Sequence, residues 1–345
     1  MGWRNKKYHI SLKTSLYKKL AEMYVIKNKK KKYKMSKEYK EHGFSGVIFS
    51  SKTYHTYKQH VDDFADWMKE NYPEITTLNK AKHHVKEFLE IRKEQLPAAH
   101  SIQTCASALF KVFDIKPESE DYFLTPRRKR ENLTRSRGTK KSDKNFSREN
   151  HEELINFADS TGLRYGGMKR IKGKDLYTAD ELKDMLVEHK KTPHKAESRK
   201  QIKMIEAALK LLEVPDAYFF VYTKEKGGKE RYALVSGENT IDVFNRFRNT
   251  KPDQHVWEFV PKNADIHGER HKYICTLYKK VARNIEDIPY DKINKGTGKR
   301  YQSEVYHCRG ERKGLMLDKH ALELVTLSVG HNRIDVIVSN YLDSI

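Results

Sequence analysis

Residues 117–146 carry no hydrophobic period, and this break constrains the chain more than any other feature. Pro117, Pro126 and Gly138 interrupt helix and strand alike. Between them lie Arg127, Arg128, Lys129, Arg130, Arg135, Arg137, Lys140 and Lys141, a cluster that repels itself and stays solvated. A 345-residue chain interrupted in this way folds as two units joined by a basic linker. As a strap lying along phosphates or as a plain solvated connection, the linker reads equally well.

Both flanks are regular. Residues 49–116 predict a small helical domain. Tyr54, Tyr57, Val61, Phe64 and Met68 recur at helical spacing, as do Ala81, Val85 and Phe88, then Ile102, Cys105, Leu109 and Val112. Lys58, His60, Lys82, Lys86 and Lys111 fall on the opposite faces. Residues 1–48 read as a basic arm. Leu12, Leu16, Leu20 and Met23 outline one face of a short helix there, ahead of the run Lys29-Lys30-Lys31-Lys32. Residues 147–345 predict a larger domain. Ser147 is a helix N-cap candidate before Leu154, Phe157 and Ala158. Further helices are expected near 178–190, 198–213, 240–248, 264–283 and 318–329. Tyr218–Tyr222 and Tyr232–Val235 flank Gly227-Gly228 as a β-hairpin. The expected fold class is mainly α with a small antiparallel β-sheet.

Charge narrows the partner. Against 47 acidic residues stand 69 Lys and Arg, a formal net charge of +22. Such an excess attracts a polyanion. No apolar run approaches the roughly 18 residues of a membrane span, and no apolar signal core follows Met1, so a cytoplasmic, nucleoid-associated protein is expected. Cys105, Cys275 and Cys308 are too dispersed for a disulfide framework or a zinc site.

Four segments of the second domain carry chemistry-bearing side chains: Thr161-Gly162-Leu163-Arg164, Lys226-Gly227-Gly228-Lys229-Glu230-Arg231, His267-Gly268-Glu269-Arg270-His271, and Gly330-His331 followed by Tyr341. Each alone has an ordinary explanation as a helix cap, a hairpin tip or packing. In this order they resemble the catalytic domain of the tyrosine recombinase (phage integrase) family. The resemblance covers 147–345 by motif and 49–116 only by architecture. It implies a helical, SAM-like core-binding domain followed by an α+β catalytic domain. It further implies site-specific recombination of duplex DNA at inverted repeats, by a tetramer, through a 3′-phosphotyrosine and without metal, ATP or other cofactor. Accessory DNA-bending proteins stay open.

Chemistry fits the residue types. Guanidiniums such as Arg164 and Arg270 grip non-bridging phosphate oxygens with a planar fork. A phenol near pKa 10 needs a base and a cationic setting to attack, so Tyr341 is the expected nucleophile and His267 its proton acceptor. His331 is expected to donate to the phosphate, and Lys226 to protonate the leaving 5′-oxygen. Because only Leu342–Ile345 follow Tyr341, cleavage is expected to act in cis.

Departures from the family pattern leave alternatives. Gly167 stands where members commonly carry an acid, three residues after the first arginine. Extra segments separate Arg164 from Lys226 and Arg270 from His331, and His331 to Tyr341 is one residue longer than usual. Tyr306-His307-Cys308-Arg309 competes with His267/Arg270 as the third motif. Rival functions are a DNA-binding protein without catalysis, a metal-dependent nuclease needing clustered carboxylates, and an RNA-binding protein with stacking aromatics.

Overall fold

The computed structural model describes residues 11–24, 47–96, 98–127, 146–225, 228–288 and 304–342. The chain divides into two compact units, Met1–Arg135 and Ser136–Ile345, with the division inside the expected linker. Linker residues 128–145 and the lysine run at 29–32 lie outside the described residues.

The first unit is helical. Helices α1 (Leu12–Glu22), α2 (Ser51–Asn71), α3 (Leu78–Lys82), α4 (Val85–Gln95) and α5 (Ala99–Phe113) share one core. Ser11 and Ser50 begin α1 and α2 by accepting from the main-chain N–H of Thr14 and Thr53. The stripe Leu12, Leu16, Leu20 and Met23 belongs to this core rather than to a solvated arm, packing in one cluster with Val61, Phe64 and Leu109. Phe64 meets Phe88 and Phe113 edge-on at 5.2 and 5.5 Å.

The second unit is mainly helical around a small antiparallel sheet. Strands β1 (Leu176–Thr178), β2 (Phe219–Lys224) and β3 (Glu230–Leu234) pair in that order, with Phe220 opposite Leu234 and Val221 opposite Ala233. Successive side chains of β2 and β3 enter different cores. Phe220, Tyr232 and Leu234 join one cluster, and Val221, Ala233 and Val235 the other. A strand buried on both faces reads as a continuous apolar run, as Tyr218–Tyr222 does. Phe220 and Val221 are fully buried there, while Tyr218 at the head of the run stays 60% exposed.

Around the sheet lie α6 (Glu152–Thr161), α7 (Ala179–Lys190), α8 (Ala196–Leu209), α9 (Thr240–Arg248), α10 (Ile266–Val281), α11 (Lys319–Ser328) and α12 (Ile334–Asn340). Ser147 is not the N-cap of α6: a short 3-10 turn (Glu149–His151) with Arg148 as its N-cap intervenes, and Ser147 Oγ accepts from Asn150 N at 3.2 Å. β1 was not expected, since three residues are too few to establish a period. A second hairpin, β4 (Val305–His307) with β5 (Met316–Asp318), precedes α11. No helix among the described residues is long and apolar enough to cross a membrane.

Candidate active site

Two glycines place the first motif and the fourth. Gly162 ends α6 in the left-handed region (φ 56°), and a Cβ there would strike the Tyr273 ring. The chain thereby turns to bury Leu163 and leave Arg164 extended. Gly330 (φ 69°) follows α11, and a Cβ on it would lie 2.6 Å from Arg231 Cδ. Only a bare backbone admits that side chain, and His331 follows directly.

Arg270, on α10, ties these two motifs together. It is fully buried (0% exposed). Its Nη1 donates to Gly162 O and its Nη2 to Val329 O at 2.6 Å. The sequence led to a guanidinium open to phosphate. The structure instead commits both terminal nitrogens of Arg270 to main-chain carbonyls. Arg309 begins the turn between β4 and β5; the guanidinium that joins the first and fourth motifs is that of Arg270.

Three arginines surround one carboxylate. Glu225, just after β2, is 4% exposed. Arg164 reaches it through Nη1 and through its main-chain N–H, the latter at 2.9 Å. Arg231 Nη2 lies at 3.4 Å and Arg270 Nη1 at 3.7 Å. Burial pushes the Glu225 carboxyl up, but Arg231, Arg270 and Arg164 together outweigh it and hold it below the usual carboxylate range. The cluster therefore carries three positive charges against one negative.

His331 lies against this cluster, with Arg164 Nη2 3.4 Å from its Nε2. Burial, then Arg270, Arg164 and Lys229, push the imidazole down to about 4, so it is neutral at physiological pH. A guanidinium only donates. Nε2 is therefore the acceptor in that contact, and Nδ1 carries the proton. Lys229 Nζ donates to the main-chain Gly330 O at 2.5 Å and to the side-chain Asn332 Oδ1 at 2.6 Å, holding the residues on either side of His331. Burial and the nearby Arg231 and Arg164 lower the Lys229 ammonium below its ordinary range.

Tyr341 follows α12 and is 4% exposed. Its ring centroid lies 5.6 Å from that of His267, 5.9 Å from His331 and 6.2 Å from His271. Cys275 Sγ donates to Tyr341 O at 3.2 Å, holding the end of α12 on α10.

Of the side chains picked from sequence, Arg164, His267, Arg270, His331 and Tyr341 thus converge from three distant stretches. Lys226 lies outside the described residues. Sequence reasoning did not single out Glu225 or Arg231. A signal existed: Thr223 pairs with Arg231 and Val221 with Ala233, so period two extends the buried Val221–Ala233 face onto Thr223, Arg231 and Glu225. A charged pair on a buried strand face needs a reason. Among the described residues, no three His, Cys, Asp or Glu side chains gather as a metal ion would require.

No family model matches this chain, and no curated protein or solved structure matches it.

Proposed function

We propose that this protein cuts and rejoins duplex DNA as a tyrosine-type site-specific recombinase, with Tyr341 as the nucleophile. One observation carries the reading: a nucleophile candidate beside three histidines stands next to a cluster of three guanidiniums, two of them buried, holding only one carboxylate. Surplus buried positive charge is costly unless an anion neutralises it. A phosphodiester is such an anion, and its charge grows in the pentacoordinate transition state.

Arg164 keeps some exposure, 28% of its side chain, and meets the non-bridging oxygens. Arg270 and Arg231 act from behind, fixing the Gly162 and Val329 carbonyls and the Ser328 carbonyl. His331, neutral, donates its remaining N–H to the phosphate. His267 accepts the phenolic proton as Tyr341 Oη attacks phosphorus. The 5′-oxygen leaves with a proton from Lys226, and Lys229 holds the turn that carries His331. The 3′-phosphotyrosine conserves the bond energy, so the reverse attack by a 5′-hydroxyl reseals the strand without ATP. The helical first unit is the SAM-like core-binding domain of this reading. Its partners are an inverted-repeat DNA site and further copies of the chain.

The test is a suicide-substrate assay with nicked half-site duplexes taken from the DNA flanking the gene. A covalent adduct that survives denaturation and maps to Tyr341 is the expected product. DNA binding without any adduct overturns the catalytic reading in favour of a binding protein alone. An adduct mapping elsewhere moves the nucleophile.

A further inference from the structure

The recombinase reading leaves one carboxylate without a role. Glu225 is buried, ionised and shared by three arginines. It holds Arg164 at both ends, taking the main-chain N–H on Oε1 and Nη1 on Oε2. Residue and guanidinium are thereby pinned together, and Nη2 is left toward His331 at 3.4 Å. Two points of attachment fix both position and rotation, which a single ion pair does not.

The surroundings of Gly167 add a second observation. A Cβ built there would lie 3.4 Å from Glu225 Oε1, 3.5 Å from Glu225 Cγ and 3.0 Å from Thr223 Oγ1. The Glu225 side chain thus fills the space that a side chain at residue 167 would enter. Gly167 sits in the helical turn Tyr165–Met168, outside the left-handed region, so its backbone has no need of glycine. The absent side chain makes room for the carboxylate.

Resting on the recombinase reading, we infer that Glu225 is the positioning residue of the arginine cluster, delivering from the β2–β3 hairpin the carboxylate that residue 167 lacks. It does not touch the phosphate. It sets Arg164 and keeps the guanidiniums from repelling one another apart before DNA binds. A glutamine at 225 keeps the shape and loses the charge. The cluster then gains net positive charge and attracts DNA as well as before or better, while Arg164 is no longer held. Loss of binding and loss of chemistry therefore separate, which a merely structural role would not produce.

The experiment compares the full chain with Glu225→Gln, Glu225→Ala and the double variant Gly167→Glu/Glu225→Ala. In the double variant two of the three atoms nearest a Cβ at residue 167, Glu225 Oε1 and Cγ, are gone, and the Thr223 hydroxyl at 3.0 Å gives way. Two quantities are read: covalent adduct formation on nicked half-site duplexes, and the protonation midpoint of His331 by NMR. The single variants are expected to lose on the order of 100-fold in adduct rate, with DNA affinity unchanged or tighter. Because Glu225 opposes the depression of His331, Glu225→Gln shifts the His331 midpoint further down. The double variant restores most of the adduct rate and returns the midpoint.

Wild-type adduct rate in Glu225→Gln overturns the inference. So does a double variant that is unfolded or recovers neither quantity. A native chain that forms no adduct sinks the recombinase reading instead, and the NMR arm still judges Glu225: an unmoved His331 midpoint in Glu225→Gln refutes its hold on the cluster. If Glu225→Ala fails to fold, Glu225→Gln and the double variant decide.

Discussion

The two units bury different chemistry. In the first, every described side chain in the core is apolar or Cys105. In the second, the interior also takes Thr223, Glu225, Arg231, Glu269, Arg270, Asp318 and Ser328. An apolar core is stabilised by the area it removes from water. Buried arginines contribute little to stability, since desolvation offsets most of what their partners return. Orphaned polar atoms occur in both units, each a cost of about 1–3 kcal/mol: His60 Nδ1 and Arg92 Nε in the first, Arg231 Nε and Arg270 Nε in the second. The first unit is built as a scaffold. The second buries whole charged side chains, Glu225, Arg231 and Arg270, where three motifs meet, which is where chemistry is proposed.

The sharpest break in this comparison is Tyr341→Phe. It removes one oxygen and keeps the packed ring, so thermal stability and DNA binding should persist while adduct formation vanishes on a denaturing gel. Tyr341 lies against histidines of its own chain, so mixing Tyr341→Phe with Arg164→Ala subunits should recover no cleavage. Robust recovery would place the tyrosine in trans.

Next in size come the arginines. Arg164→Lys should lower the cleavage rate by about 10²–10³-fold with the fold intact, because lysine keeps the charge and loses the fork. Arg270→Lys should lower it as much and also destabilise the second unit, since one ammonium cannot span Gly162 O and Val329 O. Arg309→Lys is the control. If it is dead while Arg270→Lys is active, the third motif belongs to the β4–β5 hairpin.

Phe64→Ala probes the other side of the contrast. It should cost the first unit about 3–5 kcal/mol, seen as faster amide exchange in α2 and α5. The adduct rate of bound complexes should not move. A large fall there would mean that the first unit's core takes part in the chemistry.

The smallest effect is pH-dependent. His331 titrates at about 4 in the fold against an ordinary 6.5. As pH falls below 6.5 the unfolded chain takes the proton first, so stability declines through the window from 6.5 toward 4. Denaturant unfolding of wild type and His331→Gln should therefore converge or cross as the pH drops, and a constant gap from pH 7.5 to 4.5 would refute the neutral, cluster-held imidazole.

Much of the fold was legible because periodicity is local. The stripes at Val61–Met68 and Ile102–Val112 and the apolar run Tyr218–Tyr222 each state their element and buried face within a few turns of chain. β1 escaped because three residues make no pattern. The packing of α1 into the first core escaped because a stripe says that a face is buried, not against what. The same division runs through the site. Residue types and their order proposed Arg164, His267, Arg270, His331 and Tyr341, since phosphate chemistry needs guanidiniums, imidazoles and a nucleophile. That Arg270 turns inward to two carbonyls, and that Glu225 rises from a strand into the space over Gly167, came only from tertiary structure. Spacing along a chain fixes which side chains share an element; which of several arginines reaches a given carboxylate depends on how separate elements pack, and no local period encodes that.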